Sequence, residues 1–289
     1  VIACPRCENI LTERPDCLFC ANCRYRAEIE DGVVLFNPEV IAEHEDYRSE
    51  GLDAVYAQER QHPWFRHRVN LIRKTFRQYA VKTESILEVG AGTGYTARAL
   101  MNDGYRDLSV GEIHKNGLLY AKGYGLDKLY QFDLRSSPFR NHFDVVGLFD
   151  VLEHIADDEL VIRKLYEMLR PGGRLILTVP AHRWLWSRID ELSSHHRRYD
   201  RRSLASLLTS GRFEVVKSRY FFTALVPGLL VRSVLSRNAT WETIESESGL
   251  TLSPLARAGL QFACGPGDLL LSPLRGLVGG SLLAVARKT

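Results

Sequence analysis

Between Leu87 and Tyr95 the chain reads Leu-Glu-Val-Gly-Ala-Gly-Thr-Gly-Tyr, an apolar run entering a turn with glycine at every second position. Gly90, Gly92 and Gly94 permit a tight turn and let the backbone lie against a ligand where a Cβ would intrude. Two carboxylates follow. Glu112 falls about twenty residues past the turn, where it suits a two-oxygen grip on ribose hydroxyls; its plainer reading is a solvated acid at a strand end. Asp133 can accept from the exocyclic amine of an adenine, with Leu134 placed against the ring. Four thiols form two Cys-x-x-Cys turns, Cys4/Cys7 and Cys20/Cys23, at the spacing of a tetrahedral zinc site. Two histidines, His154 and His195, are candidates for proton transfer near neutral pH.

These groups need elements to hold them. The glycine turn joins a strand to a helix beginning Tyr-Thr-Ala-Arg-Ala-Leu, the unit with which doubly wound α/β domains seat a nucleotide-like ligand at their strands' carboxyl ends. It differs from the dinucleotide fingerprint, whose third glycine falls three residues after the second. A second strand ends at Glu112, a third at Asp133, and Phe143–Phe149 forms a fourth that runs into Asp150-Val-Leu-Glu-His. Apolar residues at helical spacing predict a helix over about 157–169, stopped by Pro171-Gly172-Gly173. Arg174–Val179 reads as a fifth strand, Phe213–Phe222 as a sixth and Ser281–Lys288 as the last.

In order and spacing, Glu88-Val-Gly-Ala-Gly-Thr-Gly, Glu112, Asp133-Leu134, Phe149-Asp-Val-Leu-Glu-His and Leu169-Arg-Pro-Gly-Gly resemble class I S-adenosylmethionine-dependent methyltransferases. The resemblance covers about residues 83–222 and the final strand. It implies a doubly wound, mostly parallel, seven-stranded α/β sheet that binds S-adenosyl-L-methionine. It places Gly90 and Gly92 beside the amino-acid moiety, Glu112 on the ribose, and Asp133 and Leu134 at adenine, with Glu88, Gly94 and Asp150 in the same cofactor site. Glutamate at 112 departs mildly from the family's usual aspartate.

Cys20 and Cys23 precede Arg24–Phe36, which resembles the closing hairpin of small zinc ribbons. Cys4, Cys7, Cys20 and Cys23 are therefore expected to hold one structural Zn²⁺, with Cys17 outside the set; a disulfide pairing would need an oxidising compartment. The expected organisation is a ribbon over 1–36, a helical cover of the cleft over 37–82, and the methyltransferase domain over 83–289. Within the cover, Ile72 and Phe76 read as core, and Trp64 as either core or pocket lining. About fifty-eight residues separate the last two strands where this fold normally has a short hairpin. Their apolar content over about 223–280 predicts a lid, a homodimer contact or a membrane-surface foot.

At 289 residues and 45% hydrophobic composition the chain can bury one sizeable core and a small satellite. A net charge of +3 does not by itself mark a nucleic-acid binder. There is no apolar run of about eighteen residues and no visible secretory signal, so the expected location is cytoplasmic, with membrane association as the alternative.

The segment after the fifth strand carries His182, Trp184, Trp186, Asp190 and His195-His-Arg-Arg198-Tyr199 on the same rim as the glycine turn. It resembles a stretch in methyltransferases of lipid, quinone or glycan modification; Arg198 and Tyr199 serve equally as a cap for the following helix. His195 is favoured as the general base and His154 as pocket lining. No Asn/Asp-Pro-Pro-Tyr string follows the fourth strand and no cysteine lies in an active-site loop, which disfavours base-amino and pyrimidine-carbon methylation. The expected activity is O-methylation, less strongly C-methylation, of a small-molecule or lipid-linked acceptor. Alternatives are a ribosomal RNA methyltransferase that uses the ribbon on RNA, and a non-catalytic cofactor-binding adaptor.

Overall fold

The structure is a computed structural model describing residues 1–37, 50–236 and 252–289; parts of the cleft cover (38–49) and of the insertion (237–251) lie outside them. The N-terminal segment expected to be a ribbon contributes β1 (Thr12–Glu13), β2 (Cys17–Phe19), β3 (Arg26–Glu30) and β4 (Val33–Leu35). Two helices follow, α1 (Glu50–Gln58) and α2 (Pro63–Tyr79). Pro63 opens α2, where its missing N–H costs nothing, and Val69, Ile72 and Phe76 form its buried stripe.

The central domain alternates β5 (Ser85–Val89), α3 (Tyr95–Asn102), β6 (Asp107–Glu112), α4 (Lys115–Gly123), β7 (Lys128–Gln131) and β8 (Phe143–Phe149). Then come α5 (Asp158–Met168), β9 (Leu169–Pro180), α6 (Arg188–Leu192), α7 (Arg201–Ser210), β10 (Phe213–Phe221), α8 (Val226–Leu235), α9 (Pro254–Phe262) and β11 (Ser281–Lys288). All five residues of β5 are buried, as befits a strand with parallel neighbours β6 and β8 and helices on both faces. The two-residue period divides the core. Leu87, Val146 and Leu175 face α5 and α7, whereas Ile86, Val145 and Ile176 face α2, α3 and α4.

The sheet has eleven strands in the order β1-β2-β3-β4-β7-β6-β5-β8-β9-β11-β10, not seven. β5 to β11 make up the expected seven; the four ribbon strands extend them because β4 pairs in parallel with β7, Val33 opposite Leu129 and Leu35 opposite Gln131. An exposed strand edge presents unpaired N–H and C=O groups, and β4 satisfies them. The sheet is mixed rather than mostly parallel: the ribbon strands run antiparallel to one another, as does β11 to β9 and β10.

Two local expectations shift. β9 begins at Leu169, before the Pro-Gly-Gly turn, because Leu169 pairs with Phe143 across a bulge. The cap of α7 is Asp200, which accepts from Ser203 N–H at 2.8 Å; Arg198 and Tyr199 act elsewhere.

Candidate active site

The carboxyl ends of β5 to β10 form one rim. Gly90, Gly92 and Gly94 all adopt positive φ (62°, 56° and 77°), a conformation costly for any residue with a Cβ. At Gly90 a Cβ would also lie 2.4 Å from Val151 Cγ2. Gly117 on α4 gives the turn its second wall, since a Cβ there would strike the Gly92 carbonyl at 2.3 Å. Glu88 lies buried beneath the turn, against Thr96 and the Ala97 N–H of α3, and Oε2 has no partner among the described residues. Burial raises its carboxyl to about 8.

At the next tip Glu112 accepts from Gly92 N–H and Ile113 N–H, both at 2.8 Å, and from His114 N–H at 3.2 Å. Burial pushes its carboxyl upward while these donors oppose the shift. Asp133 accepts from Arg135 N–H at 2.8 Å and pairs with the Arg135 guanidinium, and Leu134 beside it is buried. The third expected acid, Asp150, has φ 56° and forms an ion pair with Arg68 of α2. Arg68 lies over the Trp64 ring at 4.7 Å, which makes Trp64 a partly buried support at the rim; Ile72 and Phe76 are core, as expected. The buried Nε of Arg68 has no hydrogen-bond partner among the described residues. Glu59, just after α1, accepts from Thr93 Oγ1 of the glycine turn at 2.6 Å and from Tyr124 at 2.8 Å.

Further along the rim, His195 Nδ1 lies 3.0 Å from Asp190 Oδ1. The same oxygen accepts from Arg198 Nε at 2.8 Å, while Asp190 Oδ2 accepts from the Ser187 N–H and hydroxyl, each at 2.8 Å. Burial alone would raise Asp190, yet His195, Arg198 and Ser187 hold it at about 2. The His154 ring stands 4.6 Å from that of His195, nearly perpendicular. Burial, with His195 nearby, lowers His154 to about 3, so it is neutral at ordinary pH. Glu153 is buried next to them, its carboxyl raised by burial and by Asp150. Ligand atoms of Glu153, His154 and His195 lie within 4.8 Å of one another, a set of the size that a divalent cation takes.

Asp150, His182 and Phe222, at the ends of β8, β9 and β10, all have φ between 56° and 59° without being glycine. Such strain persists only where surrounding structure imposes it, and it gathers at functional rims. His182 is stacked between Trp184 (4.9 Å) and Tyr220 (4.5 Å), and its buried Nε2 has no partner among the described residues. Two shallow concavities of about 380 and 530 Å³ lie outside α2 and share Arg60 and Arg66; Arg73 and Arg98 line the first, Arg257 the second, and neither is lined by a carboxylate.

In the N-terminal segment, the Cys4, Cys7, Cys20 and Cys23 Sγ atoms all lie within 4.8 Å of one another, with Cys4–Cys23 at 3.5 Å and Cys7–Cys20 at 3.4 Å. A tetrahedron with Zn–S bonds of about 2.3 Å has edges of roughly 3.7 Å, so the four thiols fit a zinc ion. All six cysteines are free thiols, and Cys17 stands apart beside Asp16 and Glu28.

Sequence reasoning missed Arg68, Glu59 and Gly117. Arg68 and Glu59 meet the site only through tertiary contacts, and no local pattern marks them. Gly117 could have been suspected as a helix glycine close behind Glu112. Asp190 was visible in the string leading to His195, without a role.

Residues 56–218 match the family described as Methyltransferase domain. Over 125 residues the chain is 25% identical to the ubiquinone biosynthesis O-methyltransferase of Yersinia pestis (strain Pestoides F), covering 39% of this chain and 50% of that protein. The chain thus spans about half the length of the curated relatives it matches. Among solved structures, phosphoethanolamine N-methyltransferase 2 of Haemonchus contortus, in complex with S-adenosyl-L-methionine, superposes with a TM-score of 0.55 at 18% identity, covering 91% of this chain and 62% of that one. The YcgJ protein of Bacillus subtilis gives 0.51 at 15% identity, over 77% and 98%. These structural likenesses show the fold.

Proposed function

The chain belongs to the methyltransferase domain family of S-adenosylmethionine-dependent enzymes, and on that premise we propose that it methylates a hydroxyl of a small, lipid-linked acceptor. The observation that carries this reading is the Asp190–His195 pair at the rim. When bound, S-adenosylmethionine supplies the methyl group. Glu112 would hold its ribose, Asp133 and Leu134 its adenine, and the Arg68 guanidinium the carboxylate of its amino-acid end. The protein must align the acceptor oxygen and exclude water. It must also take the hydroxyl proton. With Nδ1–H donating to Asp190, His195 Nε2 is the free base, and the buried carboxylate stabilises the imidazolium that forms. Neutral His154 lines the same pocket.

Exposed aliphatic residues support a lipidic acceptor. On α8, Val231, Val234 and Leu235 are 58%, 56% and 77% exposed, and Leu270 and Leu277 before β11 are 72% and 74% exposed. α8 packs against the turn at Arg183–Leu185, beside the acceptor rim, so an apolar surface contact would lie next to the chemistry. Among the described residues no helix is long and apolar enough to cross a membrane, which suits surface contact. The arginine-lined concavities favour an acceptor that also carries an anionic group. RNA shares that preference.

Incubation with methyl-labelled cofactor and separated lipid, RNA and small-metabolite fractions tests the reading. Label should enter the lipid fraction as an alkali-stable ether and increase with vesicles. Label in RNA would replace the reading with the RNA one; cofactor binding without transfer to any fraction would favour an adaptor.

A further inference from the structure

The ribbon does more than sit beside the domain. Residues 1–3 and 36–37, its two ends, grip the loop that follows Asp133. Ala3 N–H donates to the Pro138 carbonyl at 2.7 Å, Arg140 N–H donates to the Val1 carbonyl at 3.0 Å, and Ile2 bridges Phe139. On the other side Phe36 N–H donates to the Gln131 carbonyl at 2.9 Å, and the Phe36 ring packs edge-on against buried Phe139 at 6.2 Å. Ser136 Oγ lies 3.3 Å from Asn37 Oδ1.

Gln131, fully buried on β7, joins these contacts to the cofactor acids. Its Oε1 accepts from Asn37 N–H at 3.0 Å, and its Nε2 donates to the carbonyls of Asn37 (3.0 Å) and Ile113 (3.1 Å). Ile113 is the residue whose own N–H donates to the Glu112 carboxylate. One amide therefore ties the ribbon's exit to the loop carrying Glu112, two residues before Asp133. Ribbon side chains Leu11, Leu18, Tyr25 and Phe36 are continuous with the domain core at Phe132 and Phe139.

We propose that the metal-held ribbon is a working part of the cofactor site, with Gln131 as the positioning residue that sets Glu112 and the adenine loop. The proposal rests on the assignment of Glu112 and Asp133 to the cofactor. A segment of 37 residues is too short to build a sufficient core of its own, so beyond its contacts with the domain a metal on the four thiols would fix its turns. Losing the metal would release both ends of the grip together. Cofactor affinity then follows the state of the four thiols, and the ribbon acts on the reaction without touching the acceptor.

The test is calorimetric binding of S-adenosylhomocysteine to the full chain, zinc-loaded, chelator-stripped and zinc-restored, alongside Gln131→Leu and Asn37→Pro. Stripping and Gln131→Leu should each raise Kd about tenfold, with zinc reversing the first. Amide exchange over residues 132–140 should quicken, while kcat at saturating cofactor and the acceptor KM stay unchanged. If zinc-loaded wild type binds no cofactor, the site assignment fails. If it binds and neither stripping nor Gln131→Leu moves Kd, the ribbon inference is overturned. Should Gln131→Leu not fold, Asn37→Pro, which removes the Asn37 N–H, takes its place: a raised Kd supports the inference and an unchanged one overturns it. A raised acceptor KM at unchanged cofactor Kd would assign the ribbon to acceptor recruitment instead.

Discussion

The end of the rim proposed for adenosine and the end proposed for the acceptor are built by different means. At the adenosine end, Glu112 receives N–H groups from its two following neighbours and from the glycine turn, and Asp133 receives one from Arg135. The left-handed positions there are glycines. At the proposed acceptor end, His195 meets Asp190, which is held by Arg198 and Ser187; Asp150, read with Arg68 as part of the cofactor site, is met by that arginine from a helix eighty-two positions earlier. The left-handed positions at the acceptor end include His182, Ser194 and Phe222, conformations that only surrounding structure can enforce. The adenosine end thus relies on backbone N–H groups and glycine turns, whereas the acceptor end relies on side chains that orient one another and on strained non-glycine backbone.

That contrast is sharpest for the proton acceptor. His195→Gln should lower kcat by about 10²–10⁴-fold, the usual contribution of a general base, and leave cofactor Kd unchanged. Single-turnover rates with saturating cofactor check it. A loss confined to cofactor binding would break the division between the two ends. Glu112→Ala should do the reverse, weakening cofactor binding by about 1–3 kcal/mol with little loss of kcat at saturation. Calorimetric titration checks it, and unchanged affinity would remove Glu112 from the site.

The third effect concerns stability and builds gradually with pH. His154 titrates at about 3 in the folded chain, below the usual value near 6.5, so the unfolded chain binds the extra proton between those values. Folding stability therefore falls as pH drops below about 6.5, with a limiting slope near 1.4 kcal/mol per pH unit from this group. His154→Gln should flatten that part of the urea-midpoint profile. An unaltered slope would mean that His154 is not held neutral at the acceptor end.

Legibility in the sequence followed the same line. Phe143–Phe149 and Ser281–Lys288 are strands at their expected bounds, because continuous apolar runs between turn residues leave few alternatives. The four thiols were visible because metal ligation demands fixed spacing. β9 started early because Leu169 found Phe143, a pairing that no window around Leu169 contains.

By itself the sequence determined the strand–turn–helix unit, the acids at the strand tips and the ribbon's thiols. Each depends on φ/ψ preference, two-residue alternation or ligand spacing, properties of residues near one another in the chain. Only the tertiary structure decided that β4 would continue the sheet along β7 and that Arg68 would meet Asp150. Those pairings satisfy edge N–H groups and buried charges, and which partner satisfies them is settled by where the packed elements lie rather than by neighbours in sequence.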